Sequence, residues 1–172
     1  MYDYIILGGG SAGCVLAHRL STNPKNKVLL IEAGGSDKHP YIRIPAGEIK
    51  AIQSDRFNWH YKSEIDPSLN NRANVWPAGK VLGGSSSING MVYIRGQKED
   101  YDSWSTLVSN TGEWSYEDVL NYFKKMETNP IKDSKYHGSD GPLQVSNVPT
   151  PHPITRAFID SSVEIGIPFN PD

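Results

Sequence analysis

The most regular hydrophobic pattern of the chain lies near its start, where two short apolar runs flank a stretch of helical periodicity. Tyr4–Leu7 and Val28–Ile31 are continuous apolar runs, which predict two buried parallel strands. Between them, residues 12–20 place Ala12, Val15, Leu16 and residues 19–20 at the spacing of a core-facing helical stripe. The order strand, helix, strand predicts an α/β fold with a parallel sheet.

After Glu32 this pattern stops. Residues 33–75 contain turn-forming Gly, Pro, Asp and Asn residues and only short apolar runs. One short strand is expected at 58–61. A structureless stretch of this length is unusual inside a compact domain. It predicts a segment that wraps a ligand, or one that contacts chain outside these 172 residues.

Helical and strand patterns return in the second half. Residues 100–107 predict a short helix, and Ser115 begins a capping box for a second one with a clear apolar stripe. Residues 143–145 alternate like a strand. Pro153 suits the first position of a last helix, which we expect to end at Gly166.

Three glycines after the first predicted strand suggest a dinucleotide site. Gly8, Gly10 and Gly13 fit the pattern G-x-G-x-x-G, in which the glycines permit a tight turn, close approach of a pyrophosphate and close helix–strand packing. Glu32 ends the second strand, at the offset where an acid accepts hydrogen bonds from ribose hydroxyls and repels a 2′-phosphate. The alternatives are a glycine-rich turn beside a surface Glu, which leaves the spacing unexplained, and an NAD-dependent enzyme.

Composition narrows the class of protein. A net charge of −2 without a basic block gives no indication of nucleic acid or of an anionic membrane as a partner. The single cysteine, Cys14, excludes an internal disulfide and predicts a reducing compartment, the cytoplasm. No signal peptide and no spanning stretch is evident, so peripheral association is the one membrane contact left open. We expect no metal site.

A second glycine-rich segment spans residues 76–96. Gly83 and Gly84 precede three serines, a loop rich in N–H and hydroxyl donors that suits a phosphate or the polar edge of a ring. The alternative is a flexible Gly/Ser turn, but apolar residues on both sides favour a buried, fixed loop.

Residues 79–90 resemble the first signature of the glucose–methanol–choline (GMC) flavin oxidoreductases. The first glycine motif, Glu32, residues 58–59 and the stretch from Tyr93 to Trp104 also match, so the resemblance covers nearly the whole chain and is strongest to the choline and alcohol dehydrogenase branch. It implies a Rossmann-like FAD-binding domain of the GMC type. Only two strands of that fold are evident here, so we expect its N-terminal part only.

The resemblance implies FAD as cofactor. Some members attach FAD covalently through a His at the position of Ile88, so non-covalent FAD is expected here. The ADP half would lie beside Gly8, Gly10, Ser11, Ala12, Gly13, Glu32 and Ala33, and the rest beside Trp76, Gly79, Leu82, Gly83, Gly84, Ser85, Asn89, Gly90, Met91 and Val92.

The resemblance also implies oxidation of a primary alcohol, choline or an aliphatic alcohol, with hydride passing to flavin N5. The family's catalytic His belongs to a C-terminal region, and none of the five histidines here has its context, so the isolated chain is expected to be inactive. We divide it into a Rossmann start (1–35), a FAD-wrapping segment (36–106) and a helical segment that begins the substrate-binding part (107–172). Alternatives are a non-catalytic, truncated or split module that needs a complementary C-terminal chain, and a lyase with structural FAD.

Overall fold

The computed structural model describes residues 1–108, 114–131 and 135–170, and the chain divides into two compact units, Met1–Val92 and Tyr93–Asp172. The boundary at residue 92 falls inside the predicted FAD-wrapping segment. This boundary is defined by contacts between residues and not by function. The division into segments 1–35, 36–106 and 107–172 therefore stays a prediction.

The first unit begins with the predicted strand–helix–strand unit. Strands β1 (Tyr4–Leu7) and β2 (Val28–Ile31) pair in parallel with Tyr4 opposite Val28, and helix α1 (Ser11–Ser21) connects them. The expected burial of β1 is wrong for most of the strand: Ile6 is buried, but Ile5 is 60% and Leu7 80% exposed. Within the described ranges β1 pairs with β2 alone, so this sheet has two strands and leaves apolar side chains open to solvent.

Helix α1 lies where it was predicted, but its buried face differs from the predicted one. Val15 and Leu16 are about half exposed, whereas Gly13 is buried. A Cβ atom on Gly13 would lie 1.9 Å from the carbonyl oxygen of Gly8. The helix therefore packs against the preceding turn at Gly13, while Val15 and Leu16 remain about half exposed.

The stretch from residue 33 to residue 75 contains more regular structure than its sequence suggested. Helices α2 (Pro40–Arg43) and α3 (Glu48–Ile52) come first, and strands β3 (Tyr61–Lys62) and β4 (Val75–Trp76) then form an antiparallel pair. The strand expected at 58–61 thus begins only at Tyr61. The buried core of this unit is the cluster Ala51, Phe57, Val81 and Ile88.

The second unit contains the predicted elements in the predicted order, together with a strand, β5 (Glu127–Thr128), that the sequence analysis did not predict. Helices α4 (Lys98–Leu107), α5 (Tyr116–Met126) and α6 (Pro153–Glu164) are present, and strands β5 (Glu127–Thr128) and β6 (Leu143–Gln144) pair in parallel. In the described part of the chain, no helix combines the length and the hydrophobicity needed to cross a bilayer.

Glu127 is the centre of a buried polar cluster in this second unit. Its side chain is fully buried, and Oε1 lies 2.7 Å from Nη2 of Arg95 and 2.9 Å from Nδ1 of His137. The backbone N–H of Gly138 donates to the same oxygen at 3.0 Å. Burial alone raises the pKa of Glu127, but these donors and the Arg95 charge outweigh it and lower the pKa to about 2.

Candidate functional site

The first glycine motif and residues 79–85 of the second glycine-rich segment lie side by side in the first unit and line one cleft of about 510 Å³. One wall comes from the β1–α1 turn and the end of β2, and the other from the second glycine-rich segment. Eight of the predicted cofactor residues line this cleft: Gly8, Gly10, Ser11, Glu32, Ala33, Gly79, Gly84 and Ser85.

The second glycine-rich segment is fixed from two sides before it reaches the cleft. The side chain of Asn58, 2% exposed, accepts a hydrogen bond from the N–H of Ala78 at 2.9 Å and donates to the carbonyl oxygen of Ile52 at 2.6 Å. Further along, the N–H of Leu82 donates to the carbonyl oxygen of Gly35 at 2.9 Å. The segment is therefore a held structure and not a flexible turn.

The two segments come into close contact around Gly84 and Gly10. The N–H of Gly83 donates to the carbonyl oxygen of Gly9 at 2.7 Å, which sets the spacing of the two backbones. Gly84 has φ +59°, and a Cβ atom there would lie 2.7 Å from the Cα atom of Gly10. Glycine is thus required at position 84 both by conformation and by space.

Glu32 is held at the edge of the cleft by two backbone donors. Its Oε2 accepts from the N–H of Gly9 at 2.6 Å and its Oε1 from the N–H of Gly34 at 2.8 Å. A carboxylate has about four acceptor positions. Both oxygens therefore keep capacity for a second donor, such as a ribose hydroxyl.

The remaining predicted cofactor residues do not line this cleft. Asn89 and Met91 line a second cavity of the same unit, of about 200 Å³. Neither cavity is lined by Ala12, Gly13, Trp76, Leu82, Gly83, Gly90 or Val92. Trp76 is 62% exposed on strand β4. The role of these residues stays a prediction.

Trp59 is a lining residue that the sequence analysis did not assign to the cofactor. It forms part of the cleft wall beside Glu32 and Gly79. Its ring stacks on that of Tyr61, with centroids 5.9 Å apart and planes 5° from parallel, and Nζ of Lys80 lies 4.8 Å from its centroid. The family match at residues 58–59 was the available signal. A held, 40% exposed indole is suited to stacking on a planar ring.

Comparison with known proteins identifies the chain. The family model described as GMC oxidoreductase matches residues 2–172. The chain belongs to the GMC oxidoreductase family. Among curated GMC relatives, an oxygen-dependent choline dehydrogenase of Sinorhizobium fredii is 47% identical over 170 residues, and an alcohol dehydrogenase [acceptor] of Pseudomonas putida is 47% identical over 174 residues. These alignments cover 99% and 100% of this chain but 31% of each relative.

Solved GMC-type structures agree with this fold. Pyridoxine 4-oxidase from Mesorbium loti superposes with a TM-score of 0.87 at 36% identity, covering 98% of this chain and 33% of that one. Formate oxidase from Aspergillus oryzae superposes with a TM-score of 0.84 at 28% identity, covering 97% and 31%. These matches confirm the predicted fold class, a GMC-type α/β fold represented by its N-terminal part.

None of the five histidines of this GMC chain is among the residues that line the cleft. His18 is exposed on α1, and His39 and His152 cap the N-termini of α2 and α6. His60 lies 3.3 Å from Asp55, and His137 belongs to the cluster around Glu127. No histidine lines either cavity. Within the described ranges, no group of three His, Cys, Asp or Glu side chains is arranged to hold a metal ion.

Proposed function

We propose that this chain binds FAD non-covalently and forms the FAD-binding portion of an alcohol oxidoreductase. The observation that supports this most directly is the cleft in which both glycine-rich segments meet beside Glu32. Family membership supports the same cofactor, since the similar solved structures include a FAD-dependent oxidoreductase from Chaetomium thermophilum and a formate oxidase whose FAD is modified.

The residues of the cleft have distinct tasks in this proposal. The N-terminus of α1 presents free N–H groups and the positive end of the helix dipole to the pyrophosphate. Glu32 accepts hydrogen bonds from the adenosine ribose, and Trp59 stacks on the adenine. Residues 89–92 run beside the isoalloxazine. The bound flavin supplies a hydride acceptor, its N5 atom.

The proposed reaction is oxidation of a primary alcohol to the aldehyde. Its support is the similarity to enzymes named choline dehydrogenase and alcohol dehydrogenase [acceptor]. The chain spans about a third of their length, and the base that takes the hydroxyl proton must lie within hydrogen-bond reach of the substrate. Because no histidine lines the cleft, we expect no turnover from these 172 residues alone.

A second candidate is a non-catalytic FAD-binding module that acts with a complementary chain. The exposure of Ile5 and Leu7 on a two-stranded sheet favours it, since open apolar strands tend to recruit further chain. In either case a reducing compartment such as the cytoplasm stays our expectation, since a single cysteine allows no internal disulfide.

The test is a titration of the purified chain with FAD, followed by flavin fluorescence and visible absorption. We expect saturable binding that Glu32→Ala weakens about tenfold or more, the scale of a lost charged hydrogen bond. Failure of wild-type chain to bind FAD would overturn the proposal. Turnover of choline or of an aliphatic alcohol by the chain alone would refute the expected lack of activity and exclude the non-catalytic candidate.

A further inference from the structure

The stretch of chain that follows the proposed flavin segment has little structure of its own to hold it. Residues 90–97 contain no helix or strand, and the backbone of residues 92–95 makes no backbone–backbone hydrogen bond within the described ranges. The side chains of Val92 and Ile94 are exposed, so apolar packing does not fix the stretch either. Its position therefore depends on the two partly buried side chains within it, Tyr93 and Arg95.

Arg95 is held on several sides by residues of the second unit. Its side chain is only 13% exposed, and Nη2 lies 2.7 Å from Oε1 of Glu127. Nη1 donates a hydrogen bond to the carbonyl oxygen of Tyr136 at 2.8 Å, and the guanidinium lies 5.1 Å from the centroid of the Phe123 ring. Tyr93 belongs to the same cluster, because burial raises the pKa of its hydroxyl while the nearby Arg95 and Glu127 side chains add smaller effects of opposite sign.

Glu127 is itself fixed, so it can serve as an anchor. It directly follows helix α5, and its backbone begins strand β5, where it pairs with Leu143 of β6. Its carbonyl oxygen accepts a hydrogen bond from the N–H of Gly141 at 3.0 Å, and its fully buried carboxylate accepts one from the N–H of Gly138. Separation of Arg95 from this carboxylate would leave an uncompensated charge in the interior, so the contact resists opening.

We infer that Glu127 is a positioning residue for the flavin. Tyr93 directly follows Val92, the last residue of the segment that we propose to run beside the isoalloxazine. By holding Arg95, Glu127 fixes the chain just beyond that segment, so the segment is ordered before FAD binds. The inference rests on the proposed function, since it requires FAD to bind against residues 89–92. It predicts an effect on the cofactor from a carboxylate that lines neither cavity.

The anchor is tested first without FAD, by brief trypsin digestion and mass spectrometry. Trypsin must take an arginine side chain into its own pocket, and Glu127 retains that of Arg95 although the next residue, Gly96, is exposed. We expect cleavage between Arg95 and Gly96 to be about tenfold or more faster in Glu127→Gln than in wild type, the scale of a lost charged hydrogen bond. Glu117→Gln, which removes an exposed charge from the same unit, should keep the wild-type rate. Equal rates in Glu127→Gln and wild type would overturn the inference.

The positioning role is tested by FAD titration and by the visible spectrum of the bound flavin. Ordering of one backbone residue on binding costs about fivefold or more in affinity. Glu127→Gln should therefore bind FAD at least about fivefold more weakly than wild type, with a changed flavin spectrum. Ser115→Ala removes the N-cap of α5 and so destabilises the same unit without altering the contacts of Arg95. This control should retain the wild-type affinity and spectrum.

Arg95→Met removes the other partner and should weaken FAD binding as much as Glu127→Gln does. If both residues act through one contact, the double variant should bind FAD no more weakly than either single variant. The double variant leaves no unpaired charge between these two positions, so it takes the place of Glu127→Gln if that variant fails to fold. Wild-type FAD affinity and spectrum in these variants would show a purely structural cluster and overturn this inference alone. Absence of FAD binding by wild type would overturn the proposed function and this inference together.

Discussion

Replacement of Gly84 by alanine tests whether contact between the two glycine-rich segments builds the cleft. Gly84 has φ +59°, a left-handed conformation that costs an L-residue about 1–2 kcal/mol. The added Cβ atom would also lie 2.7 Å from the Cα atom of Gly10. Since the backbone of residue 84 fixes the position of this Cβ atom, and the Cα atom belongs to the backbone of Gly10, one of the two segments must move.

The expected loss follows from these two terms. Overpacking of a close contact costs about 1–3 kcal/mol. Together with the conformational cost, Gly84→Ala should lower the free energy of unfolding by about 2–5 kcal/mol, a large part of the roughly 5–15 kcal/mol that holds a domain together. Displacement of Gly10 from the pyrophosphate position should also weaken FAD binding by about tenfold or more.

The assay is urea unfolding together with FAD titration, and Gly35→Ala is the matched control. A Cβ atom on Gly35 meets no atom within 4 Å, and Gly35 also belongs to the first unit. The control should stay within about 0.5 kcal/mol of wild type. If Gly84→Ala matched Gly35→Ala in stability and in FAD affinity, the close approach would not be what builds the cleft.

Three further predictions concern the cofactor, the ribose acceptor and the buried carboxylate. Acid precipitation of the FAD-loaded chain should leave the flavin in the supernatant, because Ile88 has no nucleophile; flavin in the pellet contradicts this. Glu32→Gln, which exchanges one acceptor oxygen for a donor, should weaken FAD binding about as much as Glu32→Ala; wild-type affinity would exclude a role for both Glu32 acceptors. Glu127 has its pKa lowered from its ordinary value of 4.5 to about 2, so its contribution is present above pH 4.5 and is lost as pH falls towards 2. The loss is about 3 kcal/mol at 1.36 kcal/mol per pKa unit, measured by urea unfolding across pH. Glu127→Gln should flatten this dependence, and the exposed Glu117→Gln should retain it; equal profiles would contradict the assignment.

Most of the local structure followed from the sequence. The first two strands match their predicted bounds, because continuous apolar runs between turn signals have few alternatives. Ser115 caps helix α5 with Asp118 as expected, since a capping box is a purely local interaction. That residues 8–13 and residues 79–85 form one cofactor site was implied by the family resemblance and not by hydrophobic periodicity.

Burial did not follow from the sequence, because it depends on what lies against each surface. Val15 and Leu16 were expected to face the core on helical spacing alone, but the helix is buried at Gly13, where close approach of backbone decides the contact. Trp59 was likewise missed as a lining residue. Its place in the cleft depends on pairing between Asn58 and Gly79, a contact across 21 residues that no local pattern encodes.

The same distinction explains why the two glycine motifs form one site. Gly13 and Gly79 have no room for a side chain, since a Cβ atom would lie 1.9 Å from the oxygen of Gly8 and 2.1 Å from the oxygen of Gly84, respectively. Gly10 also approaches Gly84, and the hydroxyl of Ser11 donates to that of Ser86 at 3.2 Å, so the first motif contacts the second through backbone and through one pair of side chains. Gly13 and Gly79 therefore keep each motif compact, and Gly84 leaves the space that Gly10 of the other motif occupies. Because Gly10 and Ser11 at the N-terminus of α1 line the cleft, an anionic ligand there would meet the positive end of the helix dipole as well as the hydroxyl groups of Ser11 and Ser85.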